Sequence, residues 1–263
     1  MSAAPVVLKF GGTSLQTTAR IRRAARRVAI RVASGTPVVA VVSARGHATD
    51  RILADLARLG RDGRGRRADR ETDRALATGE DLSAALFAAA LAALGVRAVS
   101  LRGAEAGIRT AGGFGAGRIE AVRPRRLRTL LDGGVVPVVS GFQGGRADGE
   151  ILTLGRGGSD TSAVALAAAL GPVSCEIVTD VPGVCDRDPR RHRRARRIPS
   201  LTHAELRGLA ERGAKVVHPE AARLAERCGV PLRVYSFRAP LADGAWGTVI
   251  LPERTAAEEE SAA

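Results

Sequence analysis

The stretch Val6-Val7-Leu8-Lys9-Phe10-Gly11-Gly12-Thr13-Ser14 decides the fold prediction for this chain. Its first five residues are apolar except for one lysine, and a pair of glycines follows. This pattern predicts a buried strand that turns directly into a helix. Similar apolar, β-branched runs recur along the chain, with helical patterns between them. The sequence therefore predicts an α/β protein in which helices cover both faces of a mostly parallel central sheet.

The predicted elements alternate over almost the whole chain. Strands are predicted at Val6–Phe10, Pro37–Val42, Val96–Leu101, Val135–Gly141, Glu176–Thr179, Leu232–Ser236 and Thr248–Leu251, with a hairpin at Gln143–Thr153. Helices are predicted at Thr17–Ala33, Asp50–Leu59, Ala68–Ala93, Arg123–Leu131, Asp160–Leu170, Thr202–Arg212 and Pro219–Arg227. Right-handed crossovers place the carboxyl ends of parallel strands at one edge. The loops that begin at Lys9, Ser43, Ser140 and Thr179 should therefore line one crevice.

Composition narrows the classes of function. The formal net charge is +14, but the basic residues are spread along the chain and aromatic residues make up only 3%. This argues against nucleic-acid binding, which uses basic patches and aromatic platforms. Three cysteines without CxxC or metal-ligand spacing predict neither a disulfide framework nor a zinc site. The longest apolar run, Leu82 to Val96, is shorter than the roughly 20 residues of a membrane span. No leader is expected before the first strand, so we predict a cytoplasmic location without membrane contact.

Lys9 and Lys215 are the only lysines among 41 basic residues, and both lie in glycine-flanked turns. A coding bias toward arginine explains why arginine outnumbers lysine, but it does not explain why these two positions kept lysine. An ammonium places a compact point charge on a phosphate in a tight pocket, which a planar guanidinium does less well. We therefore predict that both lysines are functional and face the same cleft.

The string Leu154-Gly155-Arg156-Gly157-Gly158-Ser159-Asp160 is the most informative motif. Its glycines expose backbone amides to an anion at the start of a helix. Ser159 is predicted to cap that helix, and Asp160 lies in its first turn. Arg156 offers a bidentate fork for a carboxylate.

With Lys9–Ser14, Thr179–Val184 and Gly213–Pro219, this string resembles the aspartate kinases of the amino-acid kinase superfamily. The resemblance covers about residues 5–250. It implies a three-layer αβα sandwich with one catalytic domain over residues 1–252. The composition of residues 253–263 predicts a disordered tail. Members of the family usually carry ACT regulatory modules after the catalytic domain, and in a departure from that pattern no ACT regulatory domain is expected here.

The resemblance assigns roles to the motif residues. Lys9 resembles the lysine that neutralises the transferring phosphoryl group, and Asp160 resembles the residue that organises the catalytic lysines and amides. The residues implied to bind ATP or its phosphates are Gly11, Gly12, Gly157, Gly158, Thr179, Asp180 and Lys215. The residues implied on the acceptor side are Ser43, Thr49, Glu80, Arg156 and Ser159, with Glu80 on the amino group and Arg156 on the α-carboxylate. No side chain is assigned to a metal directly, and Mg²⁺ is expected on the ATP phosphates.

The implied activity is ATP-dependent phosphorylation of the side-chain carboxylate of L-aspartate to 4-phospho-L-aspartate. This carboxylate is already ionised at pH 7, so no general base is needed, and His218 is interpreted as structural. A homodimer without feedback control inside the chain, and therefore indifferent to lysine and threonine, is expected. Two alternatives stay open. One is a related kinase of a specialised pathway that acts on another carboxylate, and the other is a non-catalytic nucleotide-binding subunit.

Three stretches depart from the family pattern. Arg109–Gly117 is glycine-rich where a polar loop is common, which predicts a different substrate-side lid. Cys185 stands where an aromatic residue is common in the nucleotide loop. Arg187–Arg197 contains seven arginines. We interpret this run as a solvated loop, with a docking patch for an acidic or regulatory protein partner as the alternative.

Overall fold

The computed structural model describes residues 3–60, 69–187, 189, 192, 194–211, 216–241 and 246–252. The strands are β1 (Val6–Phe10), β2 (Val38–Val42), β3 (Ala98–Leu101), β4 (Ile108–Ala111), β5 (Arg118–Val122), β6 (Val136–Ser140), β7 (Gln143–Gly145), β8 (Ile151–Thr153), β9 (Cys175–Thr179), β10 (Ser200–Thr202), β11 (Leu232–Ser236) and β12 (Thr248–Leu251). The helices are α1 (Thr18–Ala33), α2 (Ala48–Arg58), α3 (Arg70–Ala92), α4 (Arg125–Asp132), α5 (Gly158–Leu170), α6 (His203–Glu211) and α7 (Pro219–Cys228). A short 3₁₀ helix, Gly12–Leu15, joins β1 to α1.

The main sheet has eight strands in the order β10-β12-β11-β9-β1-β2-β6-β3. The six neighbouring strands at one end of this order, from β11 through β9, β1, β2 and β6 to β3, are parallel to one another. On the other side of β11, strand β12 is antiparallel to it. One apolar core joins this sheet to α1 and α3, and a second joins its opposite face to α4, α5, α6 and α7. These layers confirm the predicted α/β fold with helices on both faces of a mostly parallel sheet.

The position of β1 determines where Lys9 points. β1 pairs with β2 on one side and with β9 on the other, so it lies inside the sheet. Successive side chains of a strand point to opposite faces. Val6, Leu8 and Phe10 enter the core beneath α1 and α3, whereas Val7 enters the core beneath α5. Lys9 shares the α5 face with Val7, at the carboxyl end of the strand.

A second sheet, with the strand order β5-β4-β7-β8, carries the hairpin predicted at Gln143–Thr153. The sequence did not predict β4, which overlaps the glycine-rich stretch Arg109–Gly117, or β5, which follows that stretch directly. β5 is mostly exposed, so it lacks the continuous apolar run on which the prediction of a buried strand relies. The three-residue strand β10 was missed as well.

The predicted ends of the elements are close to the observed ones, with one informative difference at Thr202. The helix predicted from Thr202 begins at His203, since Thr202 belongs to β10. Thr202 and Glu205 form a capping box at this helix start, because the Thr202 amide donates to Glu205 Oε2 at 2.8 Å and the Glu205 amide donates to Thr202 Oγ1 at 3.2 Å. The tail predicted at 253–263 lies outside the described residues.

Helix α3 is long and apolar enough to cross a membrane by length and composition alone. It nevertheless packs against α1, β3, β6 and β8, and it buries two carboxyl side chains, Asp73 and Glu80. These contacts identify it as a core helix of the fold. Its outer face is partly exposed at Leu82 and Leu86, and Leu94, just after the helix, is exposed as well.

Some of the arginine excess is structural. Arg27 is 3% exposed and donates to the carbonyl oxygens of Ala239 and Pro240 at 2.8 and 3.0 Å. Arg23, one turn earlier on α1, donates to the carbonyl oxygens of residues 237, 238 and 239. These guanidinium groups fasten the segment after β11 to α1, so part of the positive charge is used inside the fold.

Candidate active site

The carboxyl edge of the main sheet holds a cavity of about 440 Å³. The prediction that segments at the ends of separate strands converge here is confirmed for Lys9 near the end of β1 and for the loops after β2 and β6. Predicted site residues that line the cavity are Lys9, Ser43, Thr49, Glu80, Arg156, Gly157, Gly158, Ser159 and Asp160. Other lining residues are Asp50, Leu53, Leu76, Gly115, Phe142, Thr153 and Gly155.

The centre of the cavity is an ion pair between a strand and a helix. Lys9 Nζ lies 2.6 Å from Asp160 Oδ1, and each side chain is 12% exposed. Asp160 lies in the first turn of α5, where the helix dipole favours a negative charge. The backbone amide of His218 contacts Asp160 Oδ2 at 3.4 Å, which gives His218 a backbone role at the site. The pair therefore holds one ammonium group at the amino end of α5.

The glycine turn before α5 is held by close packing. Gly157 has a φ of 74° and is the N-cap residue of α5. A β-carbon at this position would lie 2.0 Å from the ring of His218, so only glycine fits. Ser159 lies inside the helix instead of capping it, so the prediction of a serine cap was wrong. Its side chain packs against Gly141, where an added β-carbon would lie 2.9 Å away.

The two glycines after β1 lie beside the cavity and not in its lining. The Gly11 amide donates to the carbonyl oxygen of Val178 at 3.2 Å, whereas the Gly12 amide has no acceptor within the part of the chain that the structure describes. A β-carbon on Gly12 would lie 2.6 Å from the Ala44 carbonyl oxygen. The 3₁₀ turn therefore lies directly against the loop after β2, whose Gly46 amide donates to the Gly12 carbonyl oxygen at 2.9 Å.

Glu80 is the most perturbed acid of the site. It is 3% exposed, and its Oε1 accepts a hydrogen bond from the Ala44 amide at 2.9 Å. Its Oε2 is buried and has no hydrogen-bond partner among the described residues. Burial raises the pKa of Glu80 to about 8, and the neighbouring Asp81 charge acts in the same direction. The cavity therefore contains a neutral carboxylic acid at pH 7 that a cation would ionise.

The remaining predicted residues lie around this centre. The Ser43 amide donates to the Phe10 carbonyl oxygen at 3.1 Å, and Thr49 lies in the first turn of α2. Arg156 is exposed at the cavity rim. Thr179 ends β9, and its hydroxyl donates to Asp180 Oδ1 at 3.2 Å outside the cavity lining. Lys215 lies outside the described residues, so the prediction that it shares a cleft with Lys9 stays a prediction.

Sequence reasoning assigned no role to Asp73 or to the lining residues Asp50, Leu53, Leu76 and Thr153. It placed Phe142 and Gly115 only within segments that were expected near the site. Phe142 is the only non-glycine residue of the described chain with a positive φ, at 68°. Such strain persists where the surrounding structure enforces it, and it clusters at functional sites. Its amide donates to Ser162 Oγ at 3.1 Å, and its carbonyl oxygen accepts from the Leu154 amide at 2.8 Å. No local pattern in the sequence marks this backbone conformation.

Residues 4–236 match the amino acid kinase family, and the chain belongs to that family. Its relatives include the aspartokinase of Geobacillus stearothermophilus, 47% identical over 88% of this chain and 56% of that protein. The aspartokinase of Thermus thermophilus is 44% identical with the same coverage. The chain thus spans just over half the length of these curated relatives.

Solved structures give the same result. The aspartate kinase from Synechocystis superposes with a TM-score of 0.79 at 40% identity, covering 96% of this chain and 40% of that one. The E. coli aspartokinase III in complex with aspartate and ADP gives a TM-score of 0.81 at 28% identity, covering 96% and 65%. The UMP kinase from Bacillus anthracis, 16% identical with a TM-score of 0.69, shares the fold.

Proposed function

We propose that this chain is the catalytic part of an aspartate kinase, which transfers the γ-phosphoryl group of ATP to the side-chain carboxylate of L-aspartate. The observation that carries the proposal is the Lys9–Asp160 pair at the amino end of α5, in one cavity with the buried Glu80. Support comes from aspartokinases that are 44–47% identical over this part of their length.

Phosphoryl transfer depends on charge neutralisation and in-line positioning more than on covalent catalysis. In our proposal Lys9 neutralises the transferring phosphoryl group, and Asp160 holds the ammonium in place. The amides of Gly12 and Gly157, which have no acceptor within the described residues, donate to phosphate oxygens. Gly158 closes the turn by donating its amide to the Gly155 carbonyl oxygen at 3.1 Å, and it lies beside the phosphates. Thr179, Asp180 and Lys215 contact the rest of the nucleotide. Gly11 supports this turn through its bond to Val178.

On the acceptor side we propose that Glu80 takes the amino group of aspartate. Arg156 takes the α-carboxylate, and Ser43, Thr49 and Ser159 supply polar contacts. The substrate ammonium ionises Glu80, and this satisfies the buried Oε2 that has no partner within the described residues. Mg²⁺ would be held through the ATP phosphates and would neutralise part of their charge. Within the described residues no group of three or more His, Cys, Asp or Glu side chains is arranged to hold an ion.

The chain is expected to prefer aspartate to glutamate by about 100-fold in kcat/KM. With the amino group and the α-carboxylate both anchored, one added methylene carries the reacting carboxylate past the attack position. The measurement is ATP consumption across acidic amino acids, with hydroxylamine trapping of the acyl phosphate. Strong activity with another acid and none with aspartate would favour the specialised-pathway kinase. That kinase stays the second candidate because the glycine-rich stretch Arg109–Gly117 departs from the family pattern.

We further propose a homodimer through the outer face of α3 and the edge strand β3. This surface exposes Leu82 (57%) and Leu86 (36%) on α3 and Leu94 (42%) in the turn that follows the helix. The sequence has no charged residue between Asp81 and Arg97. A charge-free apolar surface is compatible with a second copy of a chain whose net charge is +14.

A double variant with Leu82→Asp and Leu86→Asp is expected to be monomeric in sedimentation velocity, because like charges would meet across the proposed two-fold axis. Leu59→Asp is the matched control, since Leu59 is 78% exposed on a different helix end. A double variant that stays dimeric, or a monomeric wild-type chain, would refute this interface. The cytoplasmic location and the acidic partner of Arg187–Arg197 stay predictions.

A further inference from the structure

Asp73 is a fully buried carboxylate that none of the steps above uses. It lies in the first turn of α3 and is 0% exposed. Its Oδ1 accepts from Thr153 Oγ1 at 2.8 Å and from the Gly115 amide at 3.0 Å. Its Oδ2 accepts from the Thr153 amide at 2.9 Å and from the Gly115 amide at 3.1 Å. One side chain therefore clamps two segments of the second sheet to α3.

Both clamped residues belong to the cavity. Gly115 and Thr153 line it, and they come from the segment between β4 and β5 and from the end of β8. Gly115 has a φ of 70°, so its amide is presented by a backbone conformation that favours glycine. The carboxylate thus fixes one wall of the cavity at two points.

Helix α3 also carries Glu80, the proposed anchor for the amino group of the acceptor. Asp73, Leu76 and Glu80 follow the i, i+3, i+7 spacing of one helix face, and Leu76 and Glu80 line the cavity. Seven residues of α-helix span about 10 Å. The separation between the wall and Glu80 is therefore set along one rigid element and not by a loop.

We propose that Asp73 is the positioning residue that determines acceptor length, by holding the Gly115–Thr153 wall at a fixed distance from Glu80. This inference rests on the proposed function, in which Glu80 anchors the amino group of the acceptor. With the wall fixed, an acceptor one methylene longer has no room to bend its reacting carboxylate back into line. With the wall released, that discrimination falls.

Asp73→Asn tests this because the amide keeps the size of the carboxylate but turns one acceptor oxygen into a donor. The new NH₂ faces the donors of Gly115 and Thr153, so the wall loses its clamp. The expected result is an increase of about tenfold in the KM for aspartate and a fall of about tenfold in the aspartate-to-glutamate ratio of kcat/KM. The KM for ATP should stay within about twofold of the wild-type value.

Asp69→Ala is the matched control. Asp69 caps the same turn of α3 by accepting from the Thr72 amide and hydroxyl at 2.9 Å, so its loss weakens the helix end without touching the wall. The Asp69→Ala protein should have a lower Tm than the wild type, while its acceptor selectivity stays unchanged. If Asp73→Asn does not fold, Thr153→Val removes one of the three donors and should shift selectivity in the same direction by a smaller factor.

A loss of Tm in Asp73→Asn with unchanged aspartate KM and unchanged selectivity would show that Asp73 is only structural and would overturn the inference. An increase in the KM for ATP equal to that for aspartate would overturn it as well. Failure of the proposed function is a different result, namely a wild-type chain that forms no acyl phosphate with aspartate. If the wild type uses another carboxylic amino acid, the same comparison is made between that acceptor and its homologue longer by one methylene.

Discussion

Lys9→Arg is expected to lower kcat on the order of 1,000-fold while the protein stays folded. The ammonium lies 2.6 Å from Asp160 Oδ1, and the Lys9 side chain is only 12% exposed. A guanidinium keeps the charge but needs more room, so it would displace either the Asp160 contact or the phosphoryl group. Steady-state kinetics with a melting curve on the same sample would measure both effects.

The reverse exchange, Arg31→Lys, is the control for Lys9→Arg. Arg31 forms a partly buried ion pair with Glu176 at 2.9 Å and does not line the cavity. Its replacement should leave kcat unchanged. A Lys9→Arg protein that retains more than about a tenth of the wild-type kcat would show that the ammonium is incidental, since loss of a positioned charge costs more than this.

Glu80→Gln is expected to raise the free energy of unfolding of the ligand-free protein and to weaken aspartate binding. The pKa of Glu80 is raised by burial from an ordinary value near 4.5 to about 8. Between these values the folded state binds more protons than the unfolded state. The free energy of unfolding therefore falls as the pH rises from about 4.5 to about 8. Glutamine keeps the acceptor for the Ala44 amide and removes this loss of stability. The variant should therefore be more stable than the wild type at pH 8.5, by on the order of 5 kcal/mol.

As the pH rises, aspartate binding should strengthen while the stability of the ligand-free protein falls. Since the substrate ammonium must ionise Glu80, the KM for aspartate in the wild type should fall about tenfold per pH unit up to about pH 8. Glu80→Gln should show no such dependence and a KM higher by about 100-fold, because the substrate ammonium loses its charged partner. Titrations of aspartate and calorimetric unfolding at pH 6.5, 7.5 and 8.5 would measure both. A pH-independent wild-type KM would contradict the assignment of Glu80.

The parts of the site that the sequence predicts are those with local signals. Lys9 follows a five-residue apolar run and precedes two glycines, and Asp160 lies in a glycine string at a helix start, so both positions could be assigned from their neighbours. The fold class follows from the same alternation of apolar strands and helical patterns. Gly157 was included for its flexibility, although its actual constraint is the ring of His218, far away in the sequence.

Asp73 shows why the rest could not be predicted. Its partners lie 42 and 80 positions away, so nothing near it in the sequence distinguishes it from an exposed acid in a helix turn. The strands β4 and β5 were missed for a related reason, because they are short, partly exposed and pair across a glycine-rich turn. Ser159 has the residue type of a helix cap, but the turn places a left-handed glycine at that position. Likewise, the burial that makes Glu80 a weak acid depends on the whole assembled edge of the sheet.

The central place of β1 has a consequence for how the chain folds. β1 pairs with β2 soon after both exist, but its other neighbour, β9, begins only at Cys175. One edge of β1 therefore stays unpaired during most of chain synthesis. An unpaired apolar edge can associate with other chains. Pairing of such distant segments also slows folding. Lys9 is synthesised early, but its partner Asp160 lies at the amino end of α5. The ion pair of the proposed site can therefore form only after much of the domain has been synthesised.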